Sequence, residues 1–161
     1  MKSISYGDVD LQRVVEIIKE TIERNPYEEY NLIVGTDSQN FFTTKIVNVV
    51  ALQRVGKGGI FFYDITNVRR INNIKQKLLT ETQMSLELAT HILDELDKLF
   101  DRTSWDYTKY LNFSIHVDAG ENGPTKKVIP EIVSYIHSFG FDAVTKPDSF
   151  VASSIADRYS K

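Results

Sequence analysis

A chain of 161 residues that is 42% hydrophobic and 25% charged can bury one core without crosslinks, and a single domain over 1–161 is expected. It has no cysteine, which excludes disulfides, thiolate nucleophiles and zinc–thiolate centres. A formal charge of −3 argues against gripping nucleic acid by bulk electrostatics, and the lack of a long apolar run or secretory leader leads us to expect a cytoplasmic, non-membrane protein.

Residues Val9–Arg24 place Leu11, Val14, Val15, Ile17, Ile18 and Ile22 at helical spacing, with Asp8 or Asp10 as a cap and Asn25-Pro26 as a stop. A strand is predicted over Tyr30–Thr36. Lys45–Val55 and Gly59–Thr66 are rich in Val, Ile and Phe, and the glycines between them read as a hairpin turn. Asn73–Phe100 is one long helical pattern. Tyr110–Val117 reads as a strand, and Pro124–Phe139 as a helix with proline in its first turn and Gly140 at its C-terminal end. Phe141–Thr145 is strand-like, and a last helix is predicted from Pro147-Asp148 through Tyr159, with Asp148 or Ser149 as its cap. Three strands on short turns, then strands alternating with helices, give an α/β fold with a mixed sheet flanked by helices. Residues 1–29 form a helical extension to a core over 30–161.

Four acids stand out against this frame. Asp37 follows the apolar run Leu32-Ile33-Val34-Gly35-Thr36, and Asp118 follows Phe113-Ser114-Ile115-His116-Val117. At 100° per residue, Glu81 shares a face with Leu78, Ser85, Leu88, Ile92 and Leu99, whereas Glu87, Asp94 and Asp97 fall on the solvated side. Asp157 projects from the side of the last helix that carries Phe150, Ser153 and Ser154; pairing with Arg158 or Lys161 at the surface is the alternative. Burying a carboxylate is costly without a partner. Few cations are obvious nearby, which makes a divalent metal the natural candidate. Ser38-Gln39-Asn40 after Asp37, and Ala119–Gly123 after Asp118, also permit simple turn chemistry at both positions. If the strands ending in Asp37 and Asp118 are neighbours, the two acids lie side by side at the carboxyl ends, where open α/β sheets bind ligands.

The order of elements and the segments Val34-Gly35-Thr36-Asp37-Ser38-Gln39, Thr80-Glu81-Thr82-Gln83-Met84-Ser85, His116-Val117-Asp118-Ala119-Gly120 and Lys146-Pro147-Asp148-Ser149 through Ala156-Asp157-Arg158 resemble the ribonuclease H-like superfamily, in particular its YkuK-like family. The resemblance covers about four fifths of the chain. It implies a five-stranded mixed sheet whose first three strands are antiparallel, and acids at Asp37, Glu81, Asp118 and Asp157 as catalytic and metal-ligating residues. The chain departs from some members of the superfamily in lacking a strongly basic protrusion.

Such a carboxylate set suits Mg²⁺ or Mn²⁺, and two ions about 3.5–4 Å apart serve phosphodiester hydrolysis. In that scheme Asp37 bridges the ions, Glu81 and Asp118 hold one, and Asp157 holds the other. The implied partner is nucleic acid: RNA, an RNA/DNA hybrid or DNA. Ser38, Gln39, Asn122, Thr125 and Lys126 are candidate substrate contacts, the last three on a loop entering a helix where free N–H groups can take a phosphate. A plain strand-to-helix turn is the alternative there. His116 reads as a satisfied sheet histidine or a proton shuttle. Arg69-Arg70, Lys75/Lys77 and Lys126-Lys127 read as solvated surface, and Phe41-Phe42, Trp105 and Tyr107 as core or base-stacking aromatics. A metal-dependent nuclease is the leading expectation, and a non-catalytic nucleic-acid- or protein-binding module the competing one.

Overall fold

The computed structural model describes residues 1–100, 107–151 and 154. The chain opens with a hairpin of two-residue strands, β1 (Lys2–Ser3) and β2 (Gly7–Asp8). Strands this short carry no periodicity, so the sequence pattern does not announce them. Helix α1 (Leu11–Arg24) starts at Asp10, whose carboxylate accepts from the Arg13 N–H at 2.8 Å, and it buries Val14, Val15, Ile17, Ile18 and Ile22.

Strands β3 (Tyr30–Asn40), β4 (Thr44–Arg54) and β5 (Gly58–Val68) form an antiparallel meander paired along its whole length. The first of these is four residues longer than the apolar pattern predicts. Ser38, Gln39 and Asn40 are not a turn after a finished strand; they pair with Ile46, Lys45 and Thr44. The β4 ladder satisfies their backbone groups, and this tertiary pairing overrides their local turn preference. Asp37 therefore sits within the strand, opposite Val47.

Helix α2 (Ile74–Phe100) is capped by Asn73, whose side-chain oxygen accepts from the Gln76 N–H at 2.9 Å. Strand β6 (Leu111–His116) runs parallel to β3 as its direct neighbour, the condition on which bringing Asp37 beside Asp118 depended. The helix predicted from Pro124 begins later. A 3₁₀ turn over Lys126–Val128 precedes α3 (Ile129–Ser138), and it is Pro130 that occupies the first turn. Gly140 follows at φ +87°, the left-handed position at which a helix ends on glycine. Strand β7 (Asp142–Val144) is parallel to β6.

The sheet has seven strands in the order β2-β1-β5-β4-β3-β6-β7. Five strands were expected. β3 to β7 are those five, mixed and antiparallel over their first three members, and the N-terminal hairpin adds two more at the β5 edge through Lys2 opposite Tyr63. The main core lies on one face, where Leu32, Val34, Val50, Leu52, Phe62 and Ile115 meet the buried sides of α1, α2 and α3. A smaller cluster on the other face joins Ile33, Val47 and Val49 to Val151. Each fully buried aliphatic side chain contributes about 1.5–3 kcal/mol, so the α2 stripe fixes that helix firmly against the sheet. Val151 and Ser154 carry helical backbone; the rest of the predicted last helix, including Ser153, Asp157 and Tyr159, lies outside the described residues, as do Trp105 and the side chain of Tyr107. Asp148 sits in a turn, its N–H bonded to the Thr145 carbonyl at 3.0 Å. No helix among the described residues is long and apolar enough to cross a membrane.

Candidate functional site

Parallel pairing of β3 with β6 ends at Gly35 opposite His116. Asp37 and Asp118 each lie two residues beyond that pair, so the register carries them out abreast. Their carboxyl groups face each other, and the Asp37 carboxyl is pushed up to about 7, first by burial and then by its hydrogen bond to Asp118 and that residue's charge. Asp37 is 8% exposed.

Glu81 enters from α2, where it is as buried as Asp37. A hydrogen bond of 2.8 Å between the hydroxyls of Thr36 and Ser85 locks that helix to β3 one turn away, and the Thr36 hydroxyl also donates to Asn48 Oδ1 at 3.0 Å. Burial raises the Glu81 carboxyl to about 9, with the charges of Asp37 and Asp118 adding to the effect. Its Oε2 and the neighbouring Ser38 Oγ are both buried with no partner at full hydrogen-bond geometry, and the Ser38 hydroxyl approaches Glu81 closely enough to oppose that rise. Natural proteins leave few such atoms unpaired. Here two of them lie at one place, among three acids.

Cations do approach, which corrects the expectation that few stand nearby. Lys146 Nζ lies 2.9 Å from Asp118 Oδ1, and this ion pair raises the lysine's pKa. Lys77, one helical turn before Glu81, lowers the pKa of both Asp37 and Glu81 by its charge. Lys146 is held by its backbone: its N–H donates to the Ala119 carbonyl at 2.8 Å, and its Cβ packs over Gly120, where an added Cβ would come within 2.8 Å. Only glycine fits that approach. Sequence reading missed Lys146, which stands 28 positions beyond Asp118 as a lone lysine, and it placed Lys77 on the solvated surface. The four-residue spacing from Lys77 to Glu81 was the available signal.

The cleft holds about 520 Å³ and is lined by Ser38, Lys77, Glu81, Asp118, the loop 119–125 and Lys146. Of the candidate substrate contacts, Ser38, Asn122 and Thr125 line it. Gln39 and Lys126 do not. His116 is committed elsewhere: its Nδ1 accepts from the backbone N–H groups of Phe150 and Val151 at 3.2 and 3.4 Å, and burial lowers its pKa to about 4. It is a satisfied histidine anchoring the start of the last helix. Glu87, Asp94, Asp97, His91 and His137 are exposed.

The oxygen-only donors at Asp37, Glu81 and Asp118 have the chemistry of a hard divalent ion, and the unpartnered Glu81 oxygen fits one. Among the described residues, no three acidic or imidazole side chains already converge as a ligand set. Asp157, the fourth acid, lies outside those residues.

A family model described as ribonuclease H-like matches residues 13–161. The uncharacterized protein YkuK of Bacillus subtilis (strain 168) is 36% identical over 166 aligned positions, covering 99% of this chain and 95% of that protein. Two structures of the Mos1 transposase catalytic domain with raltegravir, one with Mg and one with Mn, align at a TM-score of 0.26 with 10% and 9% identity. They cover 83% of this chain, which spans 58% and 57% of theirs, and so distant a likeness bears on neither substrate nor metal. The chain belongs to the ribonuclease H-like family, as a YkuK-like protein.

Proposed function

We propose that this protein is a metal-dependent nuclease that hydrolyses phosphodiester bonds in RNA, an RNA/DNA hybrid or DNA, with Asp37, Glu81, Asp118 and Asp157 holding two Mg²⁺ or Mn²⁺ ions. The observation that carries the reading is the buried, unpartnered Oε2 of Glu81 beside two further carboxyls. When bound, such ions polarise the phosphoryl group and supply hydroxide at neutral pH. The chain's own contribution is placement. The β3–β6 register sets Asp37 against Asp118, and the Thr36–Ser85 bond sets the height of Glu81. Ser38, Asn122 and Thr125 offer polar contacts to a phosphodiester in the cleft, and the ammonium groups of Lys77 and Lys146 offset its charge.

The test joins a thermal-shift titration with Mn²⁺ and Mg²⁺ to a cleavage screen over single-stranded RNA, hybrid and DNA. Wild type should be stabilised and should cleave at least one substrate, while Asp37→Asn loses both properties. Equal stabilisation of the two proteins would reject the metal site. One observation favours a second reading, a non-catalytic binding module: Lys146 already neutralises Asp118 at 2.9 Å. Under that reading no divalent ion raises stability and no substrate is cut.

A further inference from the structure

The β3–β4 ladder closes at Asn40 opposite Thr44, and the three residues between them put two phenylalanines at the tip. Phe42 is 97% exposed and Phe41 57%. Tight turns favour Gly, Asn, Asp, Pro and Ser, so an aromatic pair held in water at such a tip does nothing for folding. The tip is nevertheless rigidly built. Asn40 Nδ2 donates to the Ile71 carbonyl at 2.8 Å. The Thr44 hydroxyl donates to Asn40 Oδ1 at 2.7 Å and accepts from the Ile71 N–H at 2.8 Å. The Arg70 guanidinium donates to the Phe41 carbonyl. Residues 69–73, which connect β5 to α2, are thereby strapped across the end of the hairpin.

Charge is distributed to match. Residues 40–45 and 67–77 together contain Lys45, Arg69, Arg70, Lys75 and Lys77 and not one acid, in a chain whose formal charge is −3. Lys45, Arg69, Arg70 and Lys75 form no ion pair with a described residue. Phe41 is four strand residues from Asp37, about 13 Å at the usual rise. At the other end of the strap, Lys77 stands one turn from Glu81. The aromatic tip and the strap are thus joined to the acids through β3 at one end and the first turns of α2 at the other.

We propose that the Phe41–Phe42 tip and the Arg69–Arg70 strap form a docking site for single-stranded nucleic acid, which leads the strand to the acids; this rests on reading that site as a phosphodiesterase. Unpaired bases offer the free faces that phenyl rings stack on, and the guanidinium groups take the phosphates between them. A duplex hides those faces, and a purely apolar protein partner leaves the arginines without counter-charge.

The probe is a fluorescein-labelled uridine 12-mer, followed by anisotropy in a chelator so that no cleavage occurs. Wild type should bind it, and bind a blunt duplex of the same length at least tenfold more weakly. Phe42→Ala, at a side chain with almost no contacts to lose, should weaken single-strand binding about tenfold. Arg69→Gln should weaken it and reduce the slope of log affinity against log salt by about 0.7. Wild type failing to bind, both variants binding within twofold of wild type, duplex binding equally well, or Phe42→Ala merely converting a dimer to a monomer in sedimentation would each overturn the proposal. Thermal shift with Mn²⁺ on Phe42→Ala separates the two readings. If wild type shows no metal response but the tip variants still lose binding, the metal site fails and the docking site stands.

Discussion

The hydroxyls of Thr36 and Ser85 lie 2.8 Å apart in the buried seam between β3 and α2, and each adjoins an acid: Thr36 directly precedes Asp37, and Ser85 stands one turn after Glu81. This contact sets the height of the helix carboxylate relative to the strand carboxylate. Thr36→Val keeps the shape but strands the Ser85 hydroxyl and the Asn48 side-chain oxygen. A loss of about 1–3 kcal/mol is expected from the buried unpaired group, read by urea denaturation. The Mn²⁺-induced rise in melting temperature should shrink as well. A destabilised variant with an undiminished metal response would show that the seam does not position Glu81.

The metal-free protein should lose stability as pH rises. Glu81 keeps its proton in the fold up to about pH 9, and Asp37 up to about pH 7, whereas both give it up near their ordinary values when unfolded. Their contribution is full below those ordinary values and disappears as pH passes through the folded ones. Each group costs about 1.4 kcal/mol per pH unit across its window. His116 acts in the opposite sense: its folded pKa of about 4 makes its contribution full above the unfolded value near 6.5 and lost as pH falls through 4. Between pH 7 and 9 Glu81 acts alone. Denaturation midpoints in chelator should fall over that interval, and Glu81→Gln should flatten the fall. Divalent ions take the place of these protons, so the metal-induced gain should increase with pH.

Lys146 competes with any cation for Asp118. Lys146→Gln should strengthen Mn²⁺ binding several-fold by calorimetry. It should alter metal-free stability by less than about 1 kcal/mol, because the pair is partly exposed to solvent. Weaker metal binding in this variant would mean that the lysine supports the site rather than filling it.

His116 separates architecture from chemistry. His116→Phe leaves the Phe150 and Val151 N–H groups without their acceptor and should cost about 1–3 kcal/mol. The relative Mn²⁺ response should persist, and its loss would return this histidine to the site.

Much of this arrangement was legible in the sequence because it rests on periodicity. Helical phase picked Glu81 from the acids of α2, since burying an acid within an apolar stripe breaks the pattern. The alternation of strands and helices allowed the β6 strand to lie beside β3 but left the strand order open, and the parallel register is what fixes it. The extent of β3 was not legible: Ser38, Gln39 and Asn40 are strand only because Thr44, Lys45 and Ile46 face them, and local composition contains no record of that pairing. Lys146 escaped for a similar reason. Its approach to Asp118 depends on Gly120 letting one backbone pass close over another.

The parallel ladder between Tyr30–Gly35 and Leu111–His116 works as a ruler, and rulers are indifferent to what lies between their ends. Residues added in the turn at Gly56-Lys57, far along the chain from either acid, should leave Asp37 and Asp118 abreast. Deleting one residue from Leu32–Thr36 should instead turn Asp37 to the other side of the sheet, because side chains alternate with a period of two. The molecule is therefore tolerant of changed length in its connections and intolerant of a single lost step inside two short strands, a boundary that marks where foreign segments can be grafted into it.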